Sequence, residues 1–103
     1  MIRLLRVRGR SMLPTLQDGD LILVRRISTR AAAGLAPGTI VCVRHPHFGF
    51  MIKRLRAHAE DGTILLDSDG QTGADHTDLG PVAVTAVTHR FWFRLSGRRR
   101  HDV

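Results

Sequence analysis

Phe48-Gly-Phe-Met-Ile-Lys-Arg-Leu-Arg-Ala-His-Ala-Glu-Asp-Gly-Thr-Ile-Leu-Leu66 reads as a long strand, a tight turn and a returning strand. Asp61-Gly62 suits the positive backbone angles of a short hairpin turn, so Phe48 to Ala59 and Thr63 to Leu66 are expected to pair antiparallel. Upstream, Thr39 to Arg44 is an apolar run between a Pro37-Gly38 turn and the His45-Pro46-His47 break. Leu21-Ile-Leu-Val24 is too short for a stable helix and fits a buried strand, and Ile2 to Val7 alternates loosely as an opening strand that ends at Gly9. Ser28 to Pro37, with its three alanines and Gly34, reads as an exposed connector or one helical turn. Val82 to Phe93 reads as a closing strand with room for a bend, placing Val82, Val84 and Ala86 on one face and Ala83, Thr85 and Val87 on the other. Phe91, Trp92 and Phe93 are expected to close one end of the core. Six or so short strands joined by turns imply an all-β domain, a small coiled barrel or sandwich of mostly antiparallel strands.

The chain has 103 residues, 43% of them hydrophobic, enough for one domain with a single modest core. Residues 1–95 are expected to form that domain, and 96–103, with Arg98-Arg99-Arg100, a basic disordered tail. No apolar run approaches the roughly 20 residues of a membrane helix, and no signal segment opens the chain, so a soluble, cytoplasmic protein is expected. Cys42, the single cysteine, lies within an apolar run and is assigned to the core. The net charge of +7 raises nucleic acid as a partner, but the arginines are scattered along strands rather than gathered into a binding stripe, which disfavours it. Six histidines are present; Pro46 and the alternation of a strand argue against His45, His47 and Cys42 forming a metal site. No cofactor is called for.

Two features carry chemistry. Gly9-Arg10-Ser11-Met12-Leu13-Pro14-Thr15-Leu16, followed by Gly19-Asp20, places a serine in a turn stiffened by Pro14, with Gly9 supplying backbone freedom. Such a turn holds a hydroxyl still, as a nucleophile requires; taken alone, it reads more readily as an ordinary turn with a helix N-cap serine. Lys53 is the only lysine among the 16 basic residues. An arginine cannot shed its proton near neutrality, whereas a lysine desolvated on an apolar strand face, here beside Met51 and Leu55, can act as a base. A surface lysine at a strand edge is the alternative for Lys53 taken alone. Together the pair suggests a serine activated by a neutral amine.

These stretches resemble the signal peptidase I family of serine-lysine endopeptidases, and most closely its small branch of nickel-type superoxide dismutase maturation proteases. The resemblance has three blocks: Val7 to Asp20 with Leu21-Ile-Leu-Val24; Pro37 to Pro46 with Met51-Ile-Lys-Arg-Leu55; and, more weakly, Asp67-Ser-Asp-Gly70 through Asp75 to Val82. It implies Ser11 as nucleophile and Lys53 as general base, with Gly9, Arg10 and Met12 along the oxyanion hole and substrate cleft. Some relatives carry a second oxyanion hydroxyl where Gly9 stands. In the third block, Gly73 occupies the place of the serine that orients the lysine amine, leaving neighbouring Thr72 as the substitute, and Asp69 and Asp75 take structural roles. The resemblance implies a metal-free endopeptidase that removes an extended N-terminal leader peptide from a precursor protein, a nickel superoxide dismutase. Two other readings stand beside it: a self-cleaving repressor-like peptidase domain, which would need a scissile segment and a DNA-binding domain not evident in so short a chain, and a degraded β domain that binds acidic partners or nucleic acid.

Overall fold

The computed structural model describes residues 1–70 and 79–96. Seven strands form one antiparallel sheet: β1 (Ile2–Arg6), β2 (Leu21–Arg26), β3 (Ile40–His45), β4 (Gly49–His58), β5 (Thr63–Asp67), β6 (Val82–Ala83) and β7 (Val87–Ser96), in the spatial order β1-β2-β7-β3-β4-β5-β6. The all-β expectation holds, as does the antiparallel β4–β5 hairpin across Asp61-Gly62. Between β2 and β3 lies one short helix, α1 (Thr29–Ala33), whose first turn is capped by the Ser28 hydroxyl accepting from the Ala31 N–H at 3.1 Å.

Two apolar clusters sandwich the sheet. Ile40-Val-Cys-Val43 in β3 is apolar throughout because it is buried on both faces: Val41 and Val43 point into one cluster with Leu55, Ile64, Leu66, Val82, Val87 and Ala32 of α1. Ile40 and Cys42 point into the other, with Ile22 and Val24 of β2 and with Val7, Met12 and Leu16 from the segment that joins β1 to β2. The serine-bearing turn is therefore not an appendage; its apolar side chains are part of the core.

The closing segment departs from expectation. Val82–Ala83 pairs with β5 at one edge of the sheet, Val84–Ala86 makes a single 3₁₀ turn, and Val87 starts a new strand between β2 and β3. The two-face alternation expected from Val82 to Val87 is thus broken by the 3₁₀ turn. A chain that must leave one sheet edge and re-enter the middle cannot do so as one continuous strand. The aromatic end-cap is also corrected: Trp92 and Phe93 are 44% and 40% exposed, edge to face at 5.0 Å, and of the three only Phe91 packs against a core cluster. The expected tail at 96–103 lies, beyond Ser96, outside the described residues.

Core and surface should therefore separate cleanly under mutation. In urea unfolding, Ile22→Ala, at a fully buried position, is expected to cost about 2–4 kcal/mol, whereas Trp92→Ala should cost less than about 1 kcal/mol.

Candidate active site

The segment from Val7 to Asp20 closes on itself at its base: the Val7 N–H donates to the Asp20 carbonyl and the Gly19 N–H to the Val7 carbonyl, both at 2.8 Å. Gly9, at φ +83°, occupies the left-handed region with open space where a side chain would stand, so glycine is needed there for its backbone angle and not for close packing. Its N–H donates to Asp18 Oδ1 at 2.8 Å. Met12 and Leu16, each 2% exposed, pin the inner side of the turn to the core. Asp20 lies wholly buried beneath it. Its Oδ2 accepts from the Gln17 N–H at 2.8 Å and from Arg94 Nη1 at 3.4 Å, and its Oδ1 is buried without a partner among the described residues. Ser11 sits half-buried at the head of this turn.

Lys53 projects from β4 opposite Val41 of β3, on the face that carries Leu55, and is 6% exposed. Burial lowers its pKa from the ordinary 10.5, because the charged ammonium is the form that desolvation penalises. Nζ donates to Ser68 Oγ at 2.7 Å. Ser68, itself buried, stands across from Lys53, one step beyond the paired Arg54 and Asp67. In its neutral form the amine can keep this donated bond and still hold its lone pair free for a proton.

The two residues after Ser68 join the lysine strand to the serine turn. Asp69 receives a two-pronged bond from Arg54, Nε to Oδ1 at 2.8 Å and Nη2 to Oδ2 at 2.6 Å, and Oδ2 also accepts from Thr15 Oγ1 at 2.6 Å. The Gly70 N–H donates to the Ser11 carbonyl at 2.7 Å. Arg54 in turn donates from Nη1 to the Gly38 carbonyl at 2.6 Å, tying in the turn before β3.

Ser11, Met12 and Lys53 line a single groove of about 400 Å³ together with Leu5 to Arg8 and Phe50 to Ile52. Its two walls, β1 and β4, stand four places apart in the sheet, so the sheet must curl to bring them together. Both walls offer strand edges: β1 ends the sheet, and among the described residues the β4–β5 ladder begins only at Arg54, leaving Gly49 to Lys53 without a β5 partner. Gly9 does not line the groove, and Arg10 lies beside Leu13, Gln17 and Asp18 on another side of the turn. Thr72 and Asp75 lie outside the described residues. Ser68, Thr15, Arg54 and Asp20 are site residues that the sequence did not single out.

A family model described as Peptidase S24-like matches residues 2–88. The chain belongs to the Peptidase S24-like family. Neither a curated protein nor a solved structure matched it. Membership places the chain among serine peptidases and self-cleaving repressor-like domains, the wider group to which the serine-lysine signal peptidases also belong. Two further observations bound the chemistry of this S24-like domain. Among the described residues no three of His, Cys, Asp and Glu are grouped to hold a metal ion, and no helix is long and apolar enough to cross a membrane. Cys42 is buried, and desolvation pushes its thiol up to about 12, which suits a core residue and not a nucleophile.

The Arg54–Asp69 pair gives a pH-dependent test of the join. Bonding from Arg54, and secondarily from Thr15, holds the Asp69 carboxyl below its ordinary 3.8, so the stability it contributes is present above that value and lost as pH falls through the lowered folded one. Asp69→Asn should cost about 1–3 kcal/mol at neutral pH in thermal or urea unfolding. The gap from the parent should narrow below pH 3.8.

Proposed function

We propose that this chain is a serine endopeptidase in which Ser11 is the nucleophile and Lys53 the general base, and that it removes an N-terminal leader from a precursor protein. The observation that carries the reading is the state of Lys53: a buried amine with its pKa lowered by desolvation, held by a serine hydroxyl, in the same groove as Ser11. Neutral Lys53 takes the Ser11 hydroxyl proton as Oγ attacks the scissile carbonyl. The resulting ammonium returns that proton to the leaving amine, and a water activated by the same amine then hydrolyses the acyl-enzyme. The backbone N–H of Ser11 contributes to stabilising the oxyanion, and no side-chain hydroxyl can do so from Gly9. Ser68 is the positioning residue for the amine, the part assigned from sequence to Thr72.

The substrate enters as an extended strand between the edges of β1 and β4, where its backbone can pair with both walls. A leader peptide has the required chemistry, being unfolded and easily threaded through a narrow groove. The finer reading, resting on the resemblance of the serine and lysine blocks, is that the precursor is a nickel superoxide dismutase and that the reaction takes place in the cytoplasm. The family membership equally supports cleavage of the chain's own polypeptide, and the two are separated by incubating the purified chain with and without a leader-bearing precursor and following both by mass spectrometry.

Ser11→Ala and Lys53→Ala should each reduce processing by at least about 10³-fold; retained processing in both removes the serine-lysine assignment. Activity should rise with pH to a plateau with its midpoint below 10.5, because the base must be neutral and burial lowers its pKa. Ser68→Ala should lower kcat by about 10- to 100-fold and shift that midpoint, with Ser68→Thr restoring much of the loss. A purely structural serine would leave the midpoint in place.

A further inference from the structure

The groove carries positive charge: Arg6 and Arg8 are among its lining residues and no carboxylate is. At its far end from Ser11 stands Phe50, and over its ring lie two guanidinium groups, Arg3 from β1 at 5.4 Å and Arg44 from β3 at 5.6 Å. Arg44 is the direct cross-strand neighbour of Phe50, whereas Arg3 reaches it from the opposite wall, so the pair spans the end of the groove. His89 meets the Phe50 ring edge-on at 6.2 Å, and Arg26 stands opposite His89 in the ladder. No carboxylate pairs with Arg3, Arg26 or Arg44 among the described residues.

Gathering like charges around one ring costs free energy, and among the described residues no carboxylate offsets it beyond the attraction of the ring itself. The effect is felt by His89, whose pKa is lowered first by burial and then by Arg26, Arg3, the amino terminus and Arg44. A surface that is merely solvated would spread such charges apart. Here they converge at the mouth of a groove whose strand edges are suited to an extended peptide.

We infer that Arg3, Arg44 and Phe50 form a recognition subsite for an acidic side chain of the bound peptide; this rests on the endopeptidase reading of the groove. Phe50 and Lys53 are three residues apart on β4, about 10 Å along a strand. The acidic residue therefore lies about three residues from the bond cut at Ser11. A carboxylate there meets two guanidinium donors. A peptide is favoured over nucleic acid because the cations end a groove walled by strand edges and Phe50, already covered by two guanidiniums, offers no open ring face for a base.

The test separates binding from cleavage. With the Ser11→Ala protein, labelled peptides carrying one glutamate, or glutamine in its place, at each of the four positions on either side of the scissile bond are compared by fluorescence anisotropy. The glutamate peptide with its acid about three residues from the bond should bind about tenfold more tightly than its glutamine twin at low salt. Arg44→Glu should reverse the order in favour of a lysine peptide. In the active protein, Arg3→Gln and Arg44→Gln should each lower kcat/KM for the glutamate peptide by several-fold more than for the glutamine one. Equal affinities for the two peptides overturn the subsite even where cleavage proceeds. A glutamate preference in Ser11→Ala, alongside a parent that cleaves nothing, upholds the subsite and sinks the endopeptidase reading. Displacement of the glutamate peptide by a single-stranded oligonucleotide at equal or lower concentration overturns the assignment in favour of nucleic acid.

Discussion

Arg54 and Asp69 meet in a two-pronged ion pair that Thr15 completes, and the geometry of everything chemical in this protein hangs from that junction. The serine and the lysine come from segments some forty residues apart, anchored in different parts of the sheet. Met12 and Leu16 hold the serine turn to one apolar cluster, while Lys53 rises on the other face, beside Leu55. Hydrophobic packing fixes each half but is indifferent to small slides between them. Directional bonds are not, and the tripeptide Ser68-Asp69-Gly70 supplies three of them in succession: to the lysine amine, to the arginine beside it and to the carbonyl of the serine. Alternation along an extended chain makes this economical, since Ser68 faces the lysine side while Asp69 faces the arginine side.

The strands were legible in the sequence because their causes are local. Turn residues bracket each run, and β3 shows in its unbroken Ile40-Val-Cys-Val43 that both faces are covered. Ser11 and Lys53 were legible for a different reason: a serine in a stiff glycine-proline turn and a lone lysine among arginines are both chemically odd. What escaped was the partner of Lys53. Continuing the ladder from His58 opposite Ile64 without interruption would set Asp69 across from Lys53. The structure has a register shift between Leu55 and Ala57, and the ladder beyond it pairs Arg54 with Asp67, which brings Ser68 to the lysine instead. A bulge leaves little local trace in composition.

The exposed aromatics and the broken closing strand failed for a non-local reason. Phe91-Trp-Phe93 is apolar enough to belong to a core, yet whether a face of β7 is covered depends on where α1 and the 3₁₀ turn come to rest. They pack over β3 and the start of β7, where Val87 joins the cluster of Ala32, while Trp92 and Phe93 further along the strand stay exposed. Arg25 instead shields the ring of Trp92 from above, 5.5 Å from its centroid.

The same economy governs the groove. A curled sheet that stops short of closing leaves strand edges facing each other, and such edges invite pairing with any passing chain. Positive charge from Arg6 and Arg8 on one wall, and from Arg3 and Arg44 around Phe50, would make that invitation selective: the protein's own copies, strongly basic like itself, are repelled, while an extended segment carrying acid is favoured. On the proposed endopeptidase reading, a lysine base gains from this arrangement. Its neutral form adds no charge to an already cationic groove, whereas a histidine-aspartate pair in its place would bring a buried carboxylate into competition with the peptide's own acid for Arg3 and Arg44. On that reading, burial of Lys53 and the convergence of Arg3 and Arg44 on Phe50 answer one constraint: a site formed from open strand edges must exclude its own kind while admitting an unfolded chain.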